Sequence, residues 1–210
     1  MPIGEPFLMK RRSFLKSAAA TAALSMTTTG LAMNAEAKTA SLGPMLDVWV
    51  GPHGGIPRFD KIRKSDFKPA LMKGMDLARA EIDTLTKQKS APTFENTIIA
   101  YEDGGRELGR VSNFFGVYTS NMNDKEMQKI EEEMSPILSA FSDEVTQNEA
   151  LFQRIKTVYD NRASAGLTPE QLRLTEVHYE RFARQGAALG KEQKARLKEI
   201  NGMLASLYTK

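Results

Sequence analysis

Two histidines, His53 and His178, and no cysteine make up the nitrogen and sulfur metal ligands of this 210-residue chain. A tight catalytic zinc site needs three protein ligands in tetrahedral array, drawn from histidine, cysteine and carboxylate. His53 and His178 are more than a hundred residues apart. Neither stands in an H-E-x-x-H spacing, which would set two histidines one helical turn apart with a glutamate between them. The acidic neighbours of His178 in sequence are Glu176 and Glu180, at the wrong steps for that motif. His53, among glycines and prolines, and His178, beside Tyr179, both read as structural or surface residues. Glu131-Glu132-Glu133 is a run of carboxylates, but consecutive helical positions fan around the axis, so the run reads as a solvated face. Gly54-Gly55 has neither the strand–loop–helix setting nor the lysine and hydroxyl of a phosphate loop, and reads as a backbone bend. No catalytic, cofactor-binding or metal-ligating residue is assigned to this chain, and disulfides are excluded.

The signal with the clearest chemistry concerns addressing. Lys10-Arg11-Arg12-Ser13-Phe14-Leu15-Lys16 resembles a twin-arginine export motif and precedes a mildly apolar run over 17–33. A small-residue cleavage site, Ala35-Glu36-Ala37, follows. Arg11 and Arg12 would be read by the export machinery, and Ala35 and Ala37 by the peptidase that removes the leader. Thr21, Ser25, Thr27, Thr28, Thr29 and Gly30 weaken partition of the run into a bilayer, so a permanent membrane span is not expected. The expected domains are a signal peptide over 1–37, an irregular segment over 38–65 and a helical region over 66–210, in the periplasm.

The leader also distorts the charge. The whole chain holds 29 basic and 26 acidic residues; residues 1–37 carry four and two of them, leaving 25 and 24. A nearly neutral mature chain gives no electrostatic case for nucleic acid. Hydrophobic residues at 41% and charged ones at 26% are ordinary for a globular protein.

The elements that would position any site read as helices. Gly43-Pro44, Gly51-Pro52, Gly54-Gly55 and Pro57 interrupt periodicity before residue 65, and Trp49 and Phe59 are expected to pin that segment to the body. Leu71, Met75, Ala78, Ile82 and Leu85 form the seam of a first helix starting near Ser65 or Asp66. Thr93 caps a second, whose stripe runs through Phe94, Ile98, Tyr101, Leu108, Val111, Phe115 and Tyr118 across an interruption at Gly104-Gly105. A third helix is capped near Asn123 and bends at Pro136; a fourth spans about 149–162. Thr168-Pro169-Glu170-Gln171 starts a fifth, expected to bury Leu172, Tyr179 and Phe182. A last helix from Gly190 carries Leu197, Ile200, Leu204 and Leu207, a seam whose partners are expected outside this chain. The expected fold class is all-α.

A set of phrases in fixed order adds a family. These are Trp49-Val50-Gly51-Pro52, the run over 54–62, Asp66-Phe67-Lys68-Pro69-Ala70, and the run over 92–102. Ala150-Leu151-Phe152-Gln153-Arg154-Ile155, Gly166-Leu167-Thr168-Pro169-Glu170-Gln171, Phe182-Ala183-Arg184-Gln185-Gly186-Ala187 and the run over 194–201 complete it. Together they resemble the N-terminal region of the thimet-oligopeptidase-like zinc metallopeptidases, most of all their bacterial peptidyl-dipeptidase (Dcp) branch. The resemblance implies helical walls around a channel that admits short peptides, and a parent that releases C-terminal dipeptides with zinc. It also implies that the H-E-x-x-H motif and the third zinc ligand belong to a later part of the parent. This chain alone is therefore expected to be inactive, with that catalytic part as its partner. The alternative is a non-enzymatic exported helical module that binds a partner through unpaired apolar faces.

Overall fold

Apolar residues at steps of three and four, cut at short intervals by caps and prolines, favour helices over strands, and helices dominate from Phe67 to Leu207. A computed structural model describes residues 43–208. The expected leader, with Arg11, Arg12, Ala35 and Ala37, lies outside the described residues. Helix α1 is Phe67–Thr86. A π-helical turn, Phe94–Ile99, runs directly into α2, Ala100–Asp103. Helices α3 (Arg106–Asn121), α4 (Lys125–Thr146), α5 (Glu149–Asp160), α6 (Pro169–Arg184) and α7 (Lys191–Leu207) follow. Among the described residues there is no sheet; Val50 and Ile56 form an isolated antiparallel bridge. None of the described helices is long and apolar enough to cross a membrane.

The caps show why the chain turns where it does. Thr168 Oγ1 accepts from the Gln171 N–H at 3.3 Å while Gln171 Oε1 takes the Thr168 N–H at 3.0 Å, the reciprocal box that the sequence spells. Thr93 and Asn96 exchange the same two bonds at the start of the π turn. There the Ala100 N–H reaches back to Glu95 O, one residue further than in an α-helix. The cap of α4 is Asp124 rather than Asn123: its carboxylate accepts from the Met127 N–H at 3.1 Å and also pairs with Lys64. A full negative charge suits the positive end of the helix better than a neutral amide.

Gly104-Gly105 cuts the second helix. Gly104 is extended and Gly105 is left-handed (φ 66°), and the freed Gly105 N–H donates to Glu81 Oε2 of α1 at 2.6 Å. The long stripe therefore divides between two cores. Val111, Phe114, Phe115 and Tyr118 pack with Phe67, Leu71, Met75, Met127, Met134 and Phe141. Phe94 and Ile98 pack instead with Leu151, Phe152, Ile155, Val158 and Phe182. Helix α1 contributes to both, through Phe67 at one end and Leu85 at the other. Trp49 and Phe59 meet Phe114 edge-on, at 5.8 and 4.9 Å between centroids, so aromatic contacts do pin the N-terminal segment. Arg110 adds a bond from Nε to Leu46 O at 2.9 Å.

Two apolar faces differ from expectation. On α6 the buried residues are Thr175, His178 and Phe182, with Leu172 and Tyr179 only half-buried. Polar side chains can take that face because Thr175 returns its hydroxyl to Gln171 O at 2.9 Å, so hydropathy alone misplaces the stripe. Helix α7 lies on α4, where Asn201 Nδ2 donates to buried Asp143 Oδ1 at 2.7 Å. Its apolar residues Ile200, Met203, Leu204 and Leu207 stay exposed.

Candidate functional site

The residues singled out for possible chemistry do not converge. His53 is exposed in a left-handed turn (φ 58°), bracketed by Gly51 and Gly55. Glu131 and Glu133 diverge as a helix requires: Asn123 Nδ2 reaches Glu131 at 3.4 Å, while Lys68 pairs with Glu133 at 2.8 Å. Gly54-Gly55 serves a bend, with Gly55 lying against the Trp49 backbone. Among the described residues no three histidine, cysteine, aspartate or glutamate side chains gather closely enough to hold a metal. Both histidines lie among these residues and the sequence holds no cysteine, so the described residues assemble no zinc site.

What the fold does assemble is a polar seam where the π turn, α5 and α6 meet. Arg154, projecting from α5, is 7% exposed. Its guanidinium donates to Asn96 Oδ1 (2.9 Å), Thr97 Oγ1 (3.3 Å) and the carbonyls of Gln88 and Ser90 (both 3.3 Å). Among the described residues no carboxylate pairs with it, and burial pushes its pKa below the ordinary value. The fork thus holds the connection between α1 and the π turn against α5. Asn96 has a double duty, since its Nδ2 also donates to Ala91 O at 2.9 Å. Sequence reasoning assigned no role to Arg154 or Asn96, although both stand inside phrases of the family resemblance.

His178 is 2% exposed on α6, edge-on to Tyr101 at 5.5 Å. Its Nε2 lies 2.8 Å from Glu102 Oε1, close enough for charge attraction but without hydrogen-bond alignment. The partner is therefore Glu102 of α2, and not Glu176 or Glu180. Tyr101 is itself pushed above its ordinary pKa by burial. A cleft of about 270 Å³ opens beside them at the Gly104-Gly105 break, lined by Glu81, Tyr101, Glu102 and Leu108 among others.

The electrostatics of His178 set a pH dependence. Burial lowers its pKa below 6.5 and Arg181 adds to this, while the Glu102 carboxylate opposes both. At higher pH the imidazole is neutral folded and unfolded, and stability does not change on its account. Below about pH 6.5 the unfolded chain takes up a proton that the folded chain resists, so stability falls as pH drops towards the folded value. Urea midpoints at about pH 7.5 and pH 5.5 are expected to separate more in the native chain than in His178→Gln. Equal separations would show that His178 does not carry the effect.

Comparison with known proteins places these features in context. No family model matches the chain. Dipeptidyl carboxypeptidase of Salmonella typhimurium is 38% identical over 169 residues, 80% of this chain and 25% of that protein. The Escherichia coli protein of the same name is 37% identical over 151 residues, 72% of this chain and 22% of that protein. Oligopeptidase A of Escherichia coli is 27% identical over 152 residues, again 72% of this chain and 22% of that protein. The chain thus spans about a quarter of the length of the curated relatives it matches.

Proposed function

Because this chain is homologous to the thimet-oligopeptidase-like peptidases over a stretch equal to about a quarter of their length, we propose that it is the N-terminal helical portion of an exported zinc peptidyl-dipeptidase. The observation that carries this reading is the 38% identity to dipeptidyl carboxypeptidase, well above the 27% to oligopeptidase A. In the parent, zinc would polarise the scissile carbonyl and activate water, with a glutamate as base. No step of that hydrolysis is assigned to residues of this chain, which do not fit a zinc site. Their part is architectural: helices form a wall of the channel for short peptides, and the Arg154 and His178 seam fixes three of those elements to one another.

Export follows from the reading of residues 1–37, with Arg11 and Arg12 as the address and cleavage after Ala37. An N-terminal mass beginning at Lys38 supports it, and an intact leader on cytoplasmic protein refutes it. A second reading, a non-enzymatic exported module, draws on the exposed Ile200, Met203, Leu204 and Leu207 of α7. The coding sequence beyond Lys210 separates the two. An in-frame continuation with H-E-x-x-H supports the peptidase, whose catalytic part would be the partner of this chain; an immediate stop codon supports the module.

A further inference from the structure

A basic groove lies away from the Arg154 and His178 seam. Where α5 begins, the loop after α6 and the first turns of α7 enclose a groove of about 740 Å³. Four lysines line it, Lys156, Lys191, Lys194 and Lys198, against one carboxylate, Glu149. Lys156 is neutralised by Asp160 at 2.5 Å. Among the described residues no carboxylate pairs with Lys191, Lys194 or Lys198. These three recur at steps of three and four along α7, so their charges follow one face for about 10 Å.

A second observation, independent of charge, points into the same groove. Gln147, at the corner between α4 and α5, lines it while being only 7% exposed. Neither its amide nitrogen nor its amide oxygen has a hydrogen-bond partner within the chain. Its backbone is well held, the N–H donating to Asp143 O at 3.0 Å, so the side chain alone is unmatched. A buried primary amide left unpaired is unfavourable, a burden that a ligand supplying both a donor and an acceptor would remove. Gly186 has φ 92°, a left-handed backbone conformation that favours glycine, and its Cα side faces Leu197 and Leu189.

We infer that this groove binds an acidic, extended segment of polypeptide, its carboxylates on Lys191, Lys194 and Lys198 and one of its peptide groups on the Gln147 amide. Charges drawn out along a helix face suit side chains that alternate along an extended chain, whereas a compact anion would engage one or two of them. Phe152 and Leu189 add apolar wall beside the lysines, which suits a peptide carrying aliphatic residues between its acidic ones. The inference is independent of the peptidase reading, since it requires neither zinc nor a catalytic part of the parent.

The test is fluorescence anisotropy on the full 210-residue chain with a labelled octapeptide of alternating glutamate and leucine. Saturable binding is expected, displaced by unlabelled octapeptide but not by ionic-strength-matched inorganic phosphate. Combining Lys194→Glu with Lys198→Glu is expected to weaken it by about tenfold or more. Gln147→Leu removes the unpaired amide and is expected to weaken binding about tenfold without lowering the thermal midpoint. Four results would each overturn the inference: no saturation, equal binding of a lysine–leucine octapeptide, wild-type affinity in the lysine or Gln147 variants, or displacement by phosphate. A dimer that buries the groove and is indifferent to the octapeptide, seen in sedimentation, would overturn it as well.

Discussion

Phe67→Ala is expected to lower the free energy of unfolding by about 3–5 kcal/mol. The ring is fully buried at the first position of α1 and meets two other rings edge-on, Phe115 at 5.6 Å and Tyr118 at 4.9 Å. Truncation would remove its transfer free energy and leave a cavity between α1 and α3, where rigid helices cannot collapse onto it. Phe115→Ala, at a site 9% exposed, is expected at the lower end of the same range. Both are read from urea denaturation of the folded chain. A loss below about 1 kcal/mol for Phe67 would show that the aromatic cluster does not hold α1 in place.

Arg154→Ala is the second large effect, expected at about 3 kcal/mol or more. Four acceptors would lose their donor together, two of them main-chain carbonyls of the connection after α1. Opposing this, the mutation relieves a buried cation whose pKa burial already depresses. The lost bonds should prevail because truncation strips the Gln88 and Ser90 carbonyls of this donor and opens a cavity, although Asn96 Oδ1 keeps the Thr93 N–H. Arg154→Lys is expected to recover only part of the loss, since an ammonium cannot reproduce the planar fork. Amide exchange should quicken across residues 88–96 in the alanine variant. Wild-type stability there would show the seam to be incidental.

The sequence signals that succeeded are local ones. Thr168, Pro169 and Gln171 announce their helix within four residues, because a cap and its first turn are contiguous in the chain. The all-α class was legible for the same reason, from steps of three and four repeated between caps. Gly104-Gly105 was readable as an interruption, but not as the place where one stripe divides between two cores. That division depends on which helices arrive on either side. The seam was less legible still. Arg154 and Asn96 are 58 residues apart, and nothing in either neighbourhood names the other. His178 has acidic neighbours in sequence, yet its contact is Glu102 across the fold. Polar residues on the buried face of α6 look misplaced to a hydropathy pattern, because their partners are invisible to it. The ordered phrases were informative here: 92–102, 150–155 and 182–187 all contribute to the second core or its seam.

The proposed reading is that this chain supplies structure to a peptidase and carries none of its catalytic residues. It is tested most directly on the purified full chain, equilibrated with zinc, dialysed, and analysed for bound metal and for dipeptide release from a short peptide. Bound zinc well below one ion per chain, with no turnover, is the predicted result. Stoichiometric zinc with dipeptide release that a chelator abolishes would contradict it.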